Sequence, residues 1–345
     1  MKAVVMRNKR LVVDEVPDPQ PLEGEVLVRT LACGICGSDL HALQHADKLV
    51  EAARDSGVPF ALDPQRDVVM GHEFCCEVLD YGPRTPASVP VGQRVVSMPL
   101  VFRGGGIQGV GYSNEVPGGY GELMVLSAAL LLPVPNGLPS EHAALTEPMA
   151  VGMHAVAKAH MQAWDCPLVI GCGPVGLAVI AALKLRGSEP IVAADFSPTR
   201  RALAEHMGAH VVVDPAVTSP FDAFRQVAQA RPAVIFECVG VPGMLHEILR
   251  RAPHGARVIV AGVCMELDRI APIYGINKEL SIQFVLGYTP EEFAATLRHL
   301  AEGDIDVAPL VTAKVPLEGV PQAFEELAQP DRHAKVLVTP GLSAN

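Results

Sequence analysis

The sequence predicts an α/β chain in two parts: a β-rich part of short strands, then a doubly wound parallel sheet. Three observations carry that prediction. Residues 1 to about 150 are rich in Gly, Pro and short alternating runs, such as Glu25-Val26-Leu27-Val28-Arg29 and Gln93-Arg94-Val95-Val96-Ser97. Alternation between turn residues marks half-buried strands of a barrel-like sheet. From Pro167 onward, fully apolar strands alternate with helical segments, the pattern of a parallel sheet covered on both faces. Between the first of those strands and its helix stands a G-x-G-x-x-G turn, Gly171 to Gly176.

In the second part, strands are expected at 168–171, 190–194, 211–213, 233–237, 256–261 and 281–286. Helices are expected at 174–186, 198–207, 219–229 and 242–251. A helix over 290–301 and a strand over 334–338 follow, and this tail is expected to return to the first part. Within the first part, 48–54 reads as an amphipathic helix and the glycine-dense segment 103–121 as an ordered loop. Trp164, the only tryptophan, is expected to pack between the two parts.

Bulk properties exclude several classes. The chain has 345 residues, with 27 Lys+Arg against 38 Asp+Glu, a net charge of -11. Phosphate binding needs a clustered basic surface, so a nucleic-acid partner is not expected. The longest apolar stretch, Cys166 to Leu185, is broken by Gly171, Gly173, Pro174 and Gly176. It reads as strand, turn and helix, not as a membrane span. Met1-Lys2-Ala3-Val4-Val5 lacks the apolar core of a signal peptide. Eight cysteines without small-domain spacing then suggest free thiols or metal ligands in a reducing, cytoplasmic compartment.

The turn at 171–176 is the first candidate site. Gly171 permits the tight turn, Gly173 lets the backbone approach a pyrophosphate, and Gly176 lets the helix pack closely. The free N–H groups at the helix start suit phosphate oxygens. Val175 lies in the same turn. The next strand ends at Asp195, 19 residues after Gly176. A carboxylate there accepts from both ribose hydroxyls and repels the extra phosphate of NADP, which favours NAD. Arg200 is a further candidate contact and the one residue that could meet a phosphate instead.

The second constellation holds Cys33-Gly34-Ile35-Cys36-Gly37-Ser38-Asp39-Leu40-His41, Gly71-His72-Glu73 and Glu147-Pro148. A catalytic zinc takes three protein ligands and keeps one position open. Cys36, His72 and Glu147 offer thiolate, imidazole and carboxylate, and Glu73 can exchange with water at such a metal. From the residues alone, Cys33-x-x-Cys36 could equally be a redox pair or half of a structural zinc site.

Together with Gly118-Gly119-Tyr120-Gly121-Glu122 and Gly171-Cys172-Gly173-Pro174-Val175-Gly176, these motifs resemble the zinc-dependent medium-chain alcohol and polyol dehydrogenases over essentially the whole length. The resemblance implies a GroES-like, β-rich catalytic domain over 1–152 and 290–345 and a Rossmann NAD-binding domain over 153–289. It implies one catalytic zinc at Cys36, His72 and Glu147, with Glu73 an alternative ligand and Asp39 orienting His72. Glutamate at 147 leans toward the polyol, butanediol and threonine side of the family. Gly262, Val263 and Leu286 then lie where relatives contact the nicotinamide.

The sequence also departs from its relatives. The four close cysteines of a structural zinc are missing from 98–121, so no second zinc is expected. Ala42 and Gly287-Tyr288 stand where sorbitol enzymes carry tyrosine and arginine, and the stretch between Cys36 and His72 is long, as in butanediol dehydrogenases.

The implied chemistry is hydride transfer between a secondary alcohol and the nicotinamide, with zinc as Lewis acid. Ser38 would take the alcohol proton and His41 pass it toward solvent. A zinc-free quinone or enone reductase and a catalytically silent NAD-binding protein are the competing readings. A small-molecule alcohol or ketone is the expected partner, and a homodimer or homotetramer the expected assembly, pairing through the edge strand near 281–286.

Overall fold

The structure is a computed structural model that describes residues 1–342 except positions 59, 136 and 330. The long segment between Cys36 and His72 is therefore described apart from position 59. The chain forms two compact units: residues 1–147, 297–303 and 311–345, and residues 148–296 with 304–310.

In the first unit the ten-residue strand Glu25–Gly34 organises the main sheet. It pairs antiparallel with Glu73–Tyr81, with Leu123–Ser127 and with the C-terminal strand Lys335–Val338. The register sets Gly34 opposite Glu73 and Cys33 opposite Phe74. It also sets Leu337 opposite Gly34, and Ile35 N–H donates to the Val336 carbonyl at 3.0 Å. The tail of the chain thereby reaches the turn that carries Cys36. Val26, Val28, Phe74, Val78, Val125 and Leu337 are buried around these strands. Each such side chain removed from water stabilises the unit by about 1.5–3 kcal/mol.

The helix after that turn runs Gly37–Asp55, much longer than the expected 48–54, with a non-helical backbone at His45. Asp39, Ala42 and Ala46 form its buried face. The expected loop at 103–121 contains half of a hairpin, Leu100–Arg103 with Gly106–Gly109. The rest docks by backbone hydrogen bonds on the strand end before His72: Gly118 N to Val69 O, Gly119 N to Gly71 O and Tyr120 N to Met70 O, all 2.8–2.9 Å.

The second unit holds a six-stranded, all-parallel sheet. Its order is Val211–Val213, Val192–Ala194, Cys166–Ile170, Ala233–Glu237, Arg257–Val260, Ser281–Phe284. The strands match the expected ones within a few residues. The direction of winding reverses between Cys166–Ile170 and Ala233–Glu237, and Gly171 and Cys238 lie just past that switch point, where ligands bind in such sheets. The helix after the glycine turn starts at Pro174, with Gly173 as its cap, and runs to Leu185, as expected. The helix Pro272–Lys278 was not legible in the sequence, because it spans only 7 residues and carries Gly275 in its interior. Trp164 is 66% exposed, so the expected packing is corrected. Its turn is held by Asp165, which accepts from Gln162 N and pairs with Arg257.

Candidate active site

Cys36 is the N-cap of the helix Gly37–Asp55, and Asp39, three residues on, returns its carboxylate to the Cys36 N–H at 3.0 Å. This capping box fixes the thiol at a helix N-terminus, where partial positive charge favours an anion. His72 precedes the paired strand and Glu73 opens it. The Cys36 thiol, a His72 ring nitrogen and a Glu73 carboxylate oxygen lie within 4.8 Å of one another. Tetrahedral zinc with bonds of about 2.0–2.3 Å holds its ligands about 3.3–3.8 Å apart, so this cluster fits after small adjustments.

Asp39 is fully buried and gathers polar partners on both oxygens. Its Oδ2 accepts from Tyr120 Oη at 2.6 Å and from the Cys36 N–H. Its Oδ1 lies 3.2 Å from Tyr112 Oη and 3.3 Å from His72 Nδ1. The His72 contact is of ion-pair distance, but Nδ1 has no strict hydrogen-bond partner among the described residues. This leaves Nε2 for a metal, with Asp39 behind the ring as carboxylate partners usually stand behind metal-bound histidines.

Charge at the site points the same way. Burial alone would lower the His72 pKa, yet the charge of the nearby Asp39 carboxylate raises it well above the ordinary histidine value. Burial would raise Asp39, and His72, Tyr120 and the Cys36 N–H overcome it and hold the carboxyl below its usual range. The Asp39 carboxylate thus sets a negative potential behind the His72 ring.

Lys335 is a site residue that the sequence did not announce. Its ammonium is buried and donates to both Glu73 oxygens, at 2.8 and 2.7 Å, and to the Ile35 carbonyl at 3.0 Å. Burial lowers its pKa, but Glu73 first, then Cys36 and Glu147, raise it above the ordinary lysine value. Glu147 stands in the first turn of the helix Thr146–Lys158 and is not one of the three groups within 4.8 Å, but its charge acts on the same lysine. The available signal was a single lysine inside the apolar run Ala334-Lys335-Val336-Leu337-Val338. Gly34 carries a second constraint hidden in the motif: a Cβ there would lie 1.9 Å from Glu73 Oε2, so any side chain would displace the carboxylate.

Ser38 and His41 sit on the first turns of the same helix. Ser38 Oγ meets Tyr112 Oη at 2.9 Å, and among the described residues no hydrogen bond joins Ser38 to His41. Burial, and secondarily His45, lower the His41 pKa. Cys33 is wholly buried behind Gly119, and burial pushes its thiol well above the usual range. That is the state of a packed, unreactive thiol.

In the second unit, Gly171 has φ +91° and a Cβ there would meet Val239 and the Cys238 backbone. At Gly176 a Cβ would lie 1.9 Å from the Gly171 carbonyl oxygen. Gly173 faces open space: a Cβ added there would find Arg200 Nη1 as its nearest neighbour, at 3.9 Å. Arg200 Nε is buried and has no hydrogen-bond partner among the described residues. Asp195 accepts from Cys172 N at 2.7 Å and Ser197 N at 2.8 Å, which pins the carboxylate at the strand end beside the turn. Val175 is half-buried on the first helical turn. Gly262 packs against Gly240 and Glu237, whose carboxylate accepts from Val239 and Gly240 N–H. Val263 is about half exposed and Leu286 is 87% exposed.

Comparison with known proteins agrees with both halves. The family description "Alcohol dehydrogenase GroES-like domain" matches residues 22–136, and "Zinc-binding dehydrogenase" matches 174–302. The chain is 32% identical to the (R,R)-butanediol dehydrogenase of Bacillus subtilis, covering 99% of this chain and 100% of that one. It is 28% identical to the sorbitol dehydrogenase of Bos taurus, covering 91% and 89%. The crystal structure of 2R,3R-butanediol dehydrogenase from Bacillus subtilis superposes with a TM-score of 0.84 at 30% identity, over 99% of each chain. The half-buried thiol beside a buried imidazole and carboxylate, the glycine turn on its parallel sheet and this full-length likeness converge: the chain belongs to the zinc-dependent medium-chain alcohol and polyol dehydrogenases, oxidoreductases that work with zinc and a nicotinamide cofactor.

Proposed function

We propose that the chain interconverts a vicinal diol or short polyol and its hydroxyketone, with NAD as hydride carrier and a single zinc. The carrying observation is the Cys36–His72–Glu73 cluster, with Ser38 on the helix that Cys36 caps. Cys36 and His72 hold the zinc, and Glu147 completes the set, with Glu73 able to replace it. Their common neighbour Lys335 supports that pairing of carboxylates. When bound, zinc supplies Lewis-acid polarisation of the substrate oxygen, and the nicotinamide takes up the hydride. Ser38 Oγ accepts the proton that leaves the alcohol. The proton that Ser38 gives up in turn would pass through the cofactor ribose to His41, one helical turn away and biased toward its neutral form, and so toward solvent. The butanediol and sorbitol names of the relatives support the diol and polyol class.

On the nucleotide side, the N–H groups at the start of Pro174–Leu185 and the Arg200 guanidinium suit the pyrophosphate, and Val175, Gly262, Val263 and Leu286 line the nicotinamide end. Asp195 accepts the ribose hydroxyls and disfavours a 2′-phosphate. Turnover measured across vicinal diols, polyols, simple secondary alcohols and threonine, with NAD and NADP, tests the reading. Diols are expected to lead, with NAD preferred about a hundredfold, the order of one charge repulsion at a binding site. Equal use of NADP would remove Asp195 from its role, and turnover of quinones or enones alone would favour a zinc-free reductase.

The edge strand Ser281–Phe284 is exposed along its length, and Phe284, Leu286, Ile273 and Ile276 are exposed apolar side chains of the same unit. An unpaired apolar edge of this kind suits a second copy of the chain across a two-fold axis. Light scattering should give at least twice the 36.5 kDa chain mass; a stable monomer would contradict it. All eight cysteines are free thiols, which supports a reducing compartment such as the cytoplasm. Among the described residues, no helix is long and apolar enough to cross a membrane.

A further inference from the structure

Lys335 and Glu73 form a buried ion pair beside the proposed metal cluster, inside the first unit. The ammonium has three protons to donate, and three oxygens receive them. The two Glu73 oxygens lie at 2.8 and 2.7 Å, and the Ile35 carbonyl, next to Cys36 in the chain, at 3.0 Å. Lys335 belongs to a strand whose four residues are all buried, so its stem is packed in place. Glu73 rests on Gly34, where a Cβ would lie 1.9 Å from Glu73 Oε2. The same carboxylate has an oxygen within 4.8 Å of the Cys36 sulfur and of a His72 ring nitrogen. Glu73 thus has two cations within reach: the ammonium it already holds, and a metal between Cys36 and His72.

We propose that Lys335 is a positioning residue that keeps Glu73 off the metal, so that Glu147 is the resting carboxylate ligand and one position stays open to substrate. This inference rests on the reading of Cys36, His72 and Glu147 as zinc ligands. Charge and coordination give the reason. A thiolate and one carboxylate already balance the two charges of zinc. A second carboxylate there would make the site net negative and weaken its pull on a substrate oxygen. It would also fill the position that a catalytic zinc keeps open, leaving the four protein ligands of a structural site. The ammonium removes this competition by neutralising Glu73 within the pair. A neutral side chain at 335 would leave a buried, unpaired carboxylate with the metal as the cation beside it.

Cobalt exchanged for zinc reads the proposal, because its d–d bands report the groups bound directly to the metal. The parent is compared with Glu73→Gln, Lys335→Met, Gly34→Ala and the double variant of Lys335→Met with Glu73→Gln, each below its thermal midpoint. Glu73→Gln is expected to keep the parent spectrum. Lys335→Met is expected to change it, and so is Gly34→Ala, which keeps both charges and crowds the carboxylate off its seat. The double variant is expected to return to the parent spectrum, a reversal that a purely structural role of Lys335 would not produce. In Lys335→Met the substrate must displace a carboxylate, so KM for the alcohol is expected to rise at least about tenfold. In the double variant it is expected to fall back to within about threefold of the parent. A changed spectrum in Glu73→Gln overturns the proposal, because Glu73 would already be a ligand. A parent-like spectrum in folded Lys335→Met also overturns it. If that variant does not fold, a parent-like spectrum in Gly34→Ala does the same. Parent protein that takes up neither zinc nor cobalt removes the metal reading itself, and this inference with it.

Discussion

Cys36→Ala is expected to lose its zinc and at least about a thousandfold in kcat/KM, while NAD still binds. The Cys36 thiol is the only sulfur in the cluster and the only one of the proposed ligands that caps a helix. Its loss leaves an imidazole and carboxylates, a weaker set for zinc. The several kcal/mol of Lewis-acid stabilisation that disappear correspond to the thousandfold loss. The glycines of the proposed NAD site, Gly171, Gly173 and Gly176, belong to the other unit and do not depend on Cys36. Zinc per chain, nucleotide affinity by fluorescence or calorimetry, and turnover check the three parts separately. Retained turnover in a metal-free Cys36→Ala protein would contradict the metal assignment.

Lys335→Met is expected to destabilise the first unit by about 3–5 kcal/mol, the usual cost of stranding a buried charge by removing its partner. Glu73 is wholly buried, and both its oxygens are satisfied by Lys335. For a unit of this size the thermal midpoint should fall by roughly 6–20 °C. Adding Glu73→Gln to Lys335→Met should recover much of the loss, because a neutral amide tolerates burial better than an unpaired carboxylate. Circular dichroism melts of the two single variants and the double variant measure the coupling. A double variant as unstable as the sum of the singles would mean that the pair contributes little to stability.

The outline of the fold was legible because its signals are local. Apolar runs such as Leu168–Ile170 and Val234–Phe236 fix strands with no knowledge of the rest, and the glycines of 171–176 fix the turn. The ligand candidates Cys36 and His72 were legible because each stands in a short motif with its own spacing. What the sequence hid depends on contacts between distant segments. Lys335 meets Glu73 across 262 residues, and Tyr112 meets Ser38 across 74. A lone lysine in an apolar strand and a tyrosine in a glycine-rich loop have many ordinary explanations until register brings them to a carboxylate and a serine. The early start of the helix at Gly37 was hidden too, since its cap is a cysteine, a residue type that seldom caps. The dependence of Glu73 on Gly34 is likewise a matter of register between two strands far apart in sequence.

X-ray absorption at the zinc edge of the purified protein tests the central claim most directly. The account predicts about one zinc per chain with a single sulfur neighbour at about 2.3 Å and nitrogen or oxygen neighbours at about 2.0–2.2 Å. A shell of several sulfurs, or protein that turns over alcohol without zinc, would contradict it.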